Sequence, residues 1–489
     1  MLFNSYLYIF FFIPIVAVVY FSLNKAKYSL AGKVWLVIAS LAFYGFANVY
    51  HVPLLLLSIV VNYKIGAAVS KKKEGNTKSL VSRKSMLTIG VIFNLGLLFY
   101  FKYINFFIDN SNILFSSNIP KINLVLPLAI SFFTFQQIAF LVDSYKMEIA
   151  ENDFLSYCLF LTFFPRLIAG PIVYYREVMT QFANPRTKIF SYENLSYGIF
   201  LFFVGLFKKV IIADSFSGYV TNGFDLAVSL NFFEAWVASL SYTLQIYFDF
   251  SGYTDMAIGS AYVFNIKVPK NFNSPYKALN IQDFWRRWHI TLSRWLVKYL
   301  YIPLGGSRRG TVRTVLNIFI TFLLCGIWHG AGWTFVAWGA MHGLGILVYR
   351  IWRNVGVTLP KAVSWVITFL YVNWAWVFFR ARDFSDAMKI FKGMCGLEGI
   401  VFPRSLENTF YVLGDWGFSF GSWLKAIRGD DASFLYVVVG IVVCIAFKNS
   451  LEIQERVKLN RYWAIALSLL AGVSLIWLDR ESSFLYFQF

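Results

Sequence analysis

One histidine closes an otherwise apolar run, Thr314-Val-Leu-Asn-Ile-Phe-Ile-Thr-Phe-Leu-Leu-Cys-Gly-Ile-Trp-His-Gly-Ala-Gly-Trp333. Around His329 stand the small residues Gly326, Gly330, Ala331 and Gly332. An ionisable group inside a membrane is costly and marks a functional site by default. A neutral imidazole takes a hydroxyl proton and returns it, so one histidine can serve acyl transfer. The small neighbours would leave room for a substrate channel. The competing reading is a histidine bonded to a neighbouring helix for structure alone. Cys325 lies one helical turn earlier on the same face; a Cys–His pair would be a nucleophile, but a membrane cysteine more often fills space. His342 follows thirteen residues on, and His51 falls in an expected outer turn. No spacing of His, Asp or Glu resembles a metal set. Cys158, Cys325, Cys395 and Cys444 lie far apart, so neither a disulfide framework nor a zinc site is expected.

A second group of candidates precedes this run. After Asp283, the stretch 284–313 holds seven basic residues and no acid: Arg286, Arg287, Arg294, Lys298, Arg308, Arg309 and Arg313. Trp285, Trp288, Trp295, Tyr299 and Tyr301 are interleaved with them. That is the amphipathic chemistry of a helix on a membrane surface, and tryptophan anchors with anionic lipid would account for it. It also suits a cytoplasmic site for an anionic ligand, since guanidinium groups match phosphates and the Gly305-Gly306 turn would let backbone amides approach them. Asp249 and Asp255 sit in a polar break within 232–264 and, if buried, need partners.

These residues must be carried by a membrane scaffold. Of 489 residues, 58% are hydrophobic, 20% aromatic and only 14% charged, against about 25% charged in an ordinary soluble chain. Mean hydropathy is +0.59. The formal charge of +19 would suit nucleic acid in a soluble protein. In a membrane chain, an excess of Lys and Arg in short loops sets cytoplasmic orientation, so no nucleic acid is expected. Leu2 to Leu23 lack a cationic start and a small-residue cleavage site, and read as a retained helix, not a leader. A span needs about 20 helical residues. Further candidates lie near 34–50, 52–69, 86–108, 122–142, 154–174, 196–213, 232–264, 314–329, 332–350, 362–380, 433–447 and 463–478. The fold class is therefore an all-α polytopic membrane protein with 11 to 13 spans or part-spans. One membrane domain, 1–489, is the simplest division.

Charge between spans orients the chain. Lys25, Lys27 and Lys33, and then Lys71, Lys72, Lys73, Lys78, Arg83 and Lys84, can both be cytoplasmic if the chain crosses twice between them around an outer turn near Tyr50 to Pro53. The N-terminus then lies outside. Lys448, Arg456, Lys458 and Arg461 precede the last span, which places the tail outside too. That tail ends Ser482-Ser-Phe-Leu-Tyr-Phe-Gln-Phe489. So aromatic an end is a solubility liability in water and is expected to be buried, folded back into the outer side of the same protein.

In these segments the chain resembles the membrane-bound O-acyltransferases (MBOAT), in particular the bacterial alginate and peptidoglycan O-acetylation subgroup. The similar segments are Phe163-Phe-Pro-Arg-Leu-Ile-Ala-Gly-Pro-Ile172, Leu244-Gln-Ile-Tyr-Phe-Asp-Phe-Ser-Gly-Tyr-Thr-Asp-Met-Ala-Ile-Gly259 and Asn271-Phe-Asn-Ser-Pro-Tyr276. Phe284-Trp-Arg-Arg-Trp-His289, Tyr301-Ile-Pro-Leu-Gly-Gly306, Trp328-His-Gly-Ala331, Trp376-Val-Phe-Phe-Arg-Ala381 and Phe484-Leu-Tyr-Phe-Gln-Phe489 complete them. They run from about residue 160 to the end; the N-terminal third shares only hydropathy, and 161–400 holds most of the motifs. Arg166 departs from the subgroup, which favours a Gln there.

The resemblance implies a ring of helices around a thin, tunnelled centre, with an acyl donor entering from the cytoplasm of a bacterial inner membrane. It makes His329 the essential buried histidine and His289 a second, cytoplasm-facing one. The basic residues Arg286, Arg287, Arg294, Arg308 and Arg309 would meet the donor, acetyl-CoA or an acyl carrier, and no bound cofactor is expected. Asp249 and Asp255 would be supporting carboxylates with a structural role, such as orienting a histidine, the competing reading being direct catalysis. A Phe-x-Tyr-x-Phe ending is similar to that of the small companion protein of the related D-alanylation system. By that resemblance Tyr486 takes acetyl as an aryl ester after His329 deprotonates it. A separate extracytoplasmic acetyltransferase then collects it for a polysaccharide hydroxyl; the competing reading of the tail is a packing plug whose tyrosine only hydrogen-bonds. Two other readings stand beside this one: transfer of D-alanine or a longer acyl chain by the same mechanism, and a transporter or flippase without chemistry.

Overall fold

The computed structural model describes residues 1–70, 82–149, 153–168, 170–457, 460–478 and 485. Tyr486, the lysines of 71–78 and Lys458 lie outside the described residues. The chain forms two compact units, one of Met1–Leu206, Tyr253–Lys270 and Gln454–Asp479, the other of Phe207–Gly252, Asn271–Ile453 and Arg480–Phe489.

The first unit opens with a π-helical turn, Leu7–Phe12, running into α1 (Ile13–Lys25). It continues with α2 (Ser29–Gly45), α3 (Val52–Ser70), α4 (Arg83–Leu98), α5 (Ile104–Phe115), α6 (Ile130–Tyr145), α7 (Phe154–Thr162), α8 (Phe164–Leu167), α9 (Tyr175–Ala183) and α10 (Tyr192–Phe207). The expected turn between α2 and α3 is present, with the Asn48 side chain accepting the Tyr50 N–H at 3.0 Å. Polar side chains tie α3, α4 and α6 together at depth. Asn62 donates to Gln137 Oε1 at 2.9 Å and receives Asn94 at 2.6 Å, while the Ser58 hydroxyl donates to Gln137 at 2.8 Å. Such bonds hold membrane helices together where the hydrophobic effect between them vanishes.

Two expected spans are cut short. The run near 122–142 becomes helical only at Ile130, because residues of α5 clamp the preceding segment as a loop. Asn105 exchanges hydrogen bonds with the Ile122 backbone at 2.9 Å in each direction, and Asn112 does the same with Ile119 at 2.9 and 2.8 Å. The run near 154–174 stops at Thr162, where Phe163 leaves helical geometry and Pro165 opens the short α8. Arg166 of α8 is buried with its guanidinium 4.7 Å from the centre of the Phe160 ring.

The second unit contains α11 (Asp214–Thr221), α12 (Phe232–Val263, as far as Gly252), α13 (Ile281–Arg287), α14 (Ile290–Leu296), α15 (Thr311–His329), α16 (Trp333–Val355), α17 (Lys361–Arg380), α18 (Phe384–Met394), α19 (Asp431–Ala446) and α20 (Ser450–Gln454). A last helix, α21 (Arg461–Ile476), belongs to the first unit. Among the described residues, β-structure is confined to a parallel pair, Val401–Pro403 with Ser419–Gly421.

Among the described residues, six stretches are long and apolar enough to cross a membrane: Leu7–Lys25, Val49–Ser70, Arg83–Phe115, Tyr192–Leu226, Thr311–His329 and Lys361–Arg380. Large apolar side chains such as Val18, Ile92, Val348 and Ile476 stay exposed on their helices, as lipid-facing positions do where hydrocarbon replaces water. The protein is an all-α polytopic membrane protein.

Candidate active site

The second unit gathers three histidines, and the packing of α15 on α16 sets the position of the first. α15 ends at His329 because Gly330 turns the chain into extended backbone. Of the small residues expected to leave an open channel, Gly326 and Gly330 are instead packed closely against Phe335. A Cβ on Gly326 would lie 2.3 Å from the Phe335 carbonyl oxygen, one on Gly339 2.5 Å from that of Phe322, and one on Gly330 2.1 Å from the Phe335 ring. Only glycine allows this crossing. His329 is buried, with the rings of Trp328, Trp338 and Phe379 at 4.8, 5.1 and 5.2 Å between centroids. Trp376 packs on both Trp338 and Phe379. The motif around Trp376 thus lines the histidine, while its Arg380 turns away to pair with Asp225.

His289 joins α13 to α14 in the left-handed region, at φ 42° and ψ 54°. A non-glycine residue there costs on the order of 1 kcal/mol and persists only where surroundings fix it. Asn271 does so. Its Oδ1 lies 3.0 Å from His289 Nδ1 and accepts both the N–H and the hydroxyl of Thr291, at 3.2 and 2.9 Å. A backbone N–H can only donate, so the Asn271 atom is an oxygen and His289 Nδ1 carries the proton. The neutral ring therefore has its lone pair on Nε2, the form a general base needs. Burial pushes the imidazolium down to about 3, which keeps the ring neutral. The His289 and His329 rings are 6.5 Å apart.

His342, on α16, has the opposite tautomer. Trp285 Nε1 donates to its Nδ1 at 3.2 Å, and an indole nitrogen never accepts. The neutral ring of His342 must hold its proton on Nε2. Two residues that the sequence left without a role thus belong to this cluster: Asn271, which fixes the His289 tautomer, and His342, a third buried histidine. The signals present were Asn271 opening a recognised motif, and a lone His at glycine spacing, Gly339 and Gly343, on an apolar helix.

The amphipathic stretch sorts itself by face. Trp285, Trp288 and Trp295 are buried in protein instead of anchoring at a surface, and Arg286, Arg294, Arg308, Arg309 and Arg313 are exposed. Arg287 is committed elsewhere, to Asp283 at 2.9 Å and the Asn273 carbonyl at 3.2 Å. The expected use of the Gly305-Gly306 amides on phosphate is also corrected. They donate to the carbonyls of Ile302 and Tyr301 at 3.0 and 2.9 Å, closing the preceding helical turn. Both glycines are in place because φ is 114° and 54° there.

The two carboxylates part company. Asp255 is buried in the first unit. Asp249, expected to need a partner, holds Lys209 at 2.6 Å and not a histidine, and Lys209 also meets Asp214 at 2.9 Å. The other Asp249 oxygen accepts the backbone N–H of Leu485 at 3.1 Å. Leu485 is itself buried. Both oxygens of the carboxylate are thus engaged, one by a cation and one by the residue preceding Tyr486.

Residues 125–382 match the model of the membrane-bound O-acyltransferase family, MBOAT. The chain is 44% identical over 521 aligned residues to a peptidoglycan O-acetyltransferase of Helicobacter pylori, covering 100% of this chain and 98% of that one. It is 37% identical over 400 residues to a probable alginate O-acetylase of Azotobacter vinelandii, covering 81% of this chain and 78% of that one. A teichoic acid D-alanyltransferase of Bacillus subtilis is 30% identical over 282 residues, covering 54% of this chain and 71% of that one. With its buried histidines on apolar helices and these similarities, the chain belongs to the membrane-bound O-acyltransferase family and is a membrane-bound O-acyltransferase.

Proposed function

We propose that this chain takes an acetyl group from a cytoplasmic thioester, acetyl-CoA or an acylated carrier, and passes it across the bacterial inner membrane for O-acetylation of an extracytoplasmic polysaccharide. The observation that carries the reading is the buried pair His289 and His329, 6.5 Å apart between ring centroids and walled by aromatic rings. Imidazoles so placed among aromatic rings can accept and return a proton. The exposed arginines Arg286, Arg294, Arg308 and Arg309 suit the phosphates of such a donor. Peptidoglycan is the acceptor we favour, because the relative matched over the whole chain is named for that acceptor.

In this reading His329 takes the proton of the Tyr486 phenol as its oxygen attacks the thioester carbonyl carbon. The C–S bond breaks, the thiolate leaves with the proton returned by His329, and Tyr486 holds acetyl as an aryl ester. Phenolate, with a phenol pKa near 10, leaves more readily than an alkoxide, so a partner enzyme on the outer face can move the acetyl to a sugar hydroxyl. Burial of Leu485 and its bond to Asp249 support a tail folded into the protein. The termini then lie outside, as the loop charges favour.

The test is the O-acetyl content of purified wall peptidoglycan and exopolysaccharide from cells carrying wild type, no copy, or Tyr486→Phe. Loss of wall O-acetyl without the chain, and with Tyr486→Phe, is the expected result. Full acetylation by Tyr486→Phe would remove the relay, and unchanged walls without any copy would remove the acceptor.

A further inference from the structure

One buried N–H donor, on Trp338, stands beside His329, and a second, on His342, adjoins the first; the acid–base chemistry uses neither. Trp338 and His342 are both fully buried. Their rings are 4.8 Å apart between centroids, and the Trp338 ring is 5.1 Å from that of His329. Trp338 Nε1 has no hydrogen-bond acceptor among the described residues, and neither has His342 Nε2. The second is an obligatory donor, because Trp285 already gives its N–H to Nδ1 and forces the proton onto Nε2. Buried polar groups are overwhelmingly paired, and each exception calls for an explanation. Here two exceptions sit in adjoining rings, one of them against the proposed base.

We propose that Trp338 Nε1–H and His342 Nε2–H form the donor site for the carbonyl oxygen of the acyl thioester. The inference rests on the reading of His329 as the site of transfer. Neutral N–H donors select a neutral oxygen that gains negative charge during reaction, which excludes a cation. As the incoming hydroxyl oxygen bonds to the carbonyl carbon, the C=O π pair moves onto the oxygen, and these two N–H groups donate hydrogen bonds to it. When the pair returns to re-form C=O, the C–S bond breaks and the thiolate leaves with the proton that His329 took from the hydroxyl. Fixed donors in a water-excluded site cost no reorganisation at that moment. Trp285 is then a positioning residue, since its N–H holds His342 in the tautomer that donates.

The experiment uses the full chain in membrane vesicles, with acetyl-CoA as the probe and release of free CoA thiol as the readout, on Trp338→Phe, His342→Leu and His342→Gln. Cells carrying each variant as sole copy give the same comparison through wall O-acetyl content, whatever the natural donor. Loss of one such donor lowers kcat by about 10²–10³-fold, with KM for acetyl-CoA within about threefold of wild type. His342→Gln keeps an N–H near the lost position and recovers at least about tenfold over His342→Leu. Wild-type kcat in Trp338→Phe and His342→Leu overturns the proposal, since the N–H groups then only pack against rings. So does a loss that His342→Gln does not relieve and that follows the thermal midpoint. His329→Gln is the control on the parent reading: activity kept there rejects His329 as base, while activity lost there and kept in the other variants rejects only the donor pair.

Discussion

Asn271 Oδ1 takes the Nδ1–H of His289 at 3.0 Å while also accepting twice from Thr291. This one oxygen fixes both the ring's orientation and its tautomer, and with them the nitrogen on which a base can act. Asn271→Leu removes the acceptor, and Asn271→Asp restores one. We expect kcat to fall by roughly 10–100-fold in Asn271→Leu, part of the 10²–10⁴ a positioned base supplies, and to recover in Asn271→Asp. Steady-state acetyl transfer in vesicles checks it.

Acid should weaken the fold through the same histidine. Burial lowers the folded pKa of His289 from 6.5 to about 3, so the unfolded chain binds a proton that the folded chain refuses between those values. Stability is complete above the unfolded value and is lost as pH falls toward the folded one. The thermal midpoint of the purified chain in detergent should therefore drop between about pH 7 and 4.5, and His289→Gln should shrink that drop.

The Gly326–Gly339 crossing makes a packing prediction. With a Cβ forced to 2.3 Å from the Phe335 oxygen, Gly326→Ala is expected to destabilise by about 1–3 kcal/mol through overpacking. Thermal unfolding reads this directly, and activity should fall with it because α15 carries His329.

Hydropathy alone located most helices, because a span is defined by length and apolarity. It failed at 122–129, an equally apolar segment whose start is held as loop by Asn105 on Ile122, with Asn112 holding Ile119 just before it. The motif residues His329 and His289 were legible as types, and they do lie together. Their supports were not. Asn271 and Trp285 act from 18 and 57 residues away in sequence, a pairing that only tertiary structure creates. Asp249 was legible as a buried carboxylate needing a partner, but Lys209 sits in a segment that reads as an ordinary span, so a histidine was the nearer candidate.

The Lys209–Asp249 pair is the clearest stability test. Lys209→Met leaves Asp249 as a buried, uncompensated carboxylate, expected to cost about 3–5 kcal/mol. Lys209→Met with Asp249→Leu removes both charges and should recover part of that loss in a denaturant melt. Because Asp249 also holds the Leu485 N–H, proteolytic clipping of the tail should rise in the double variant.

The most direct test of acyl transfer at His329 is the rate of acetyl-CoA-dependent CoA release by vesicles bearing wild type or His329→Gln at equal, folded levels. With His329 as the base, kcat falls at least about 10²-fold in His329→Gln. A rate within about threefold of wild type would contradict it.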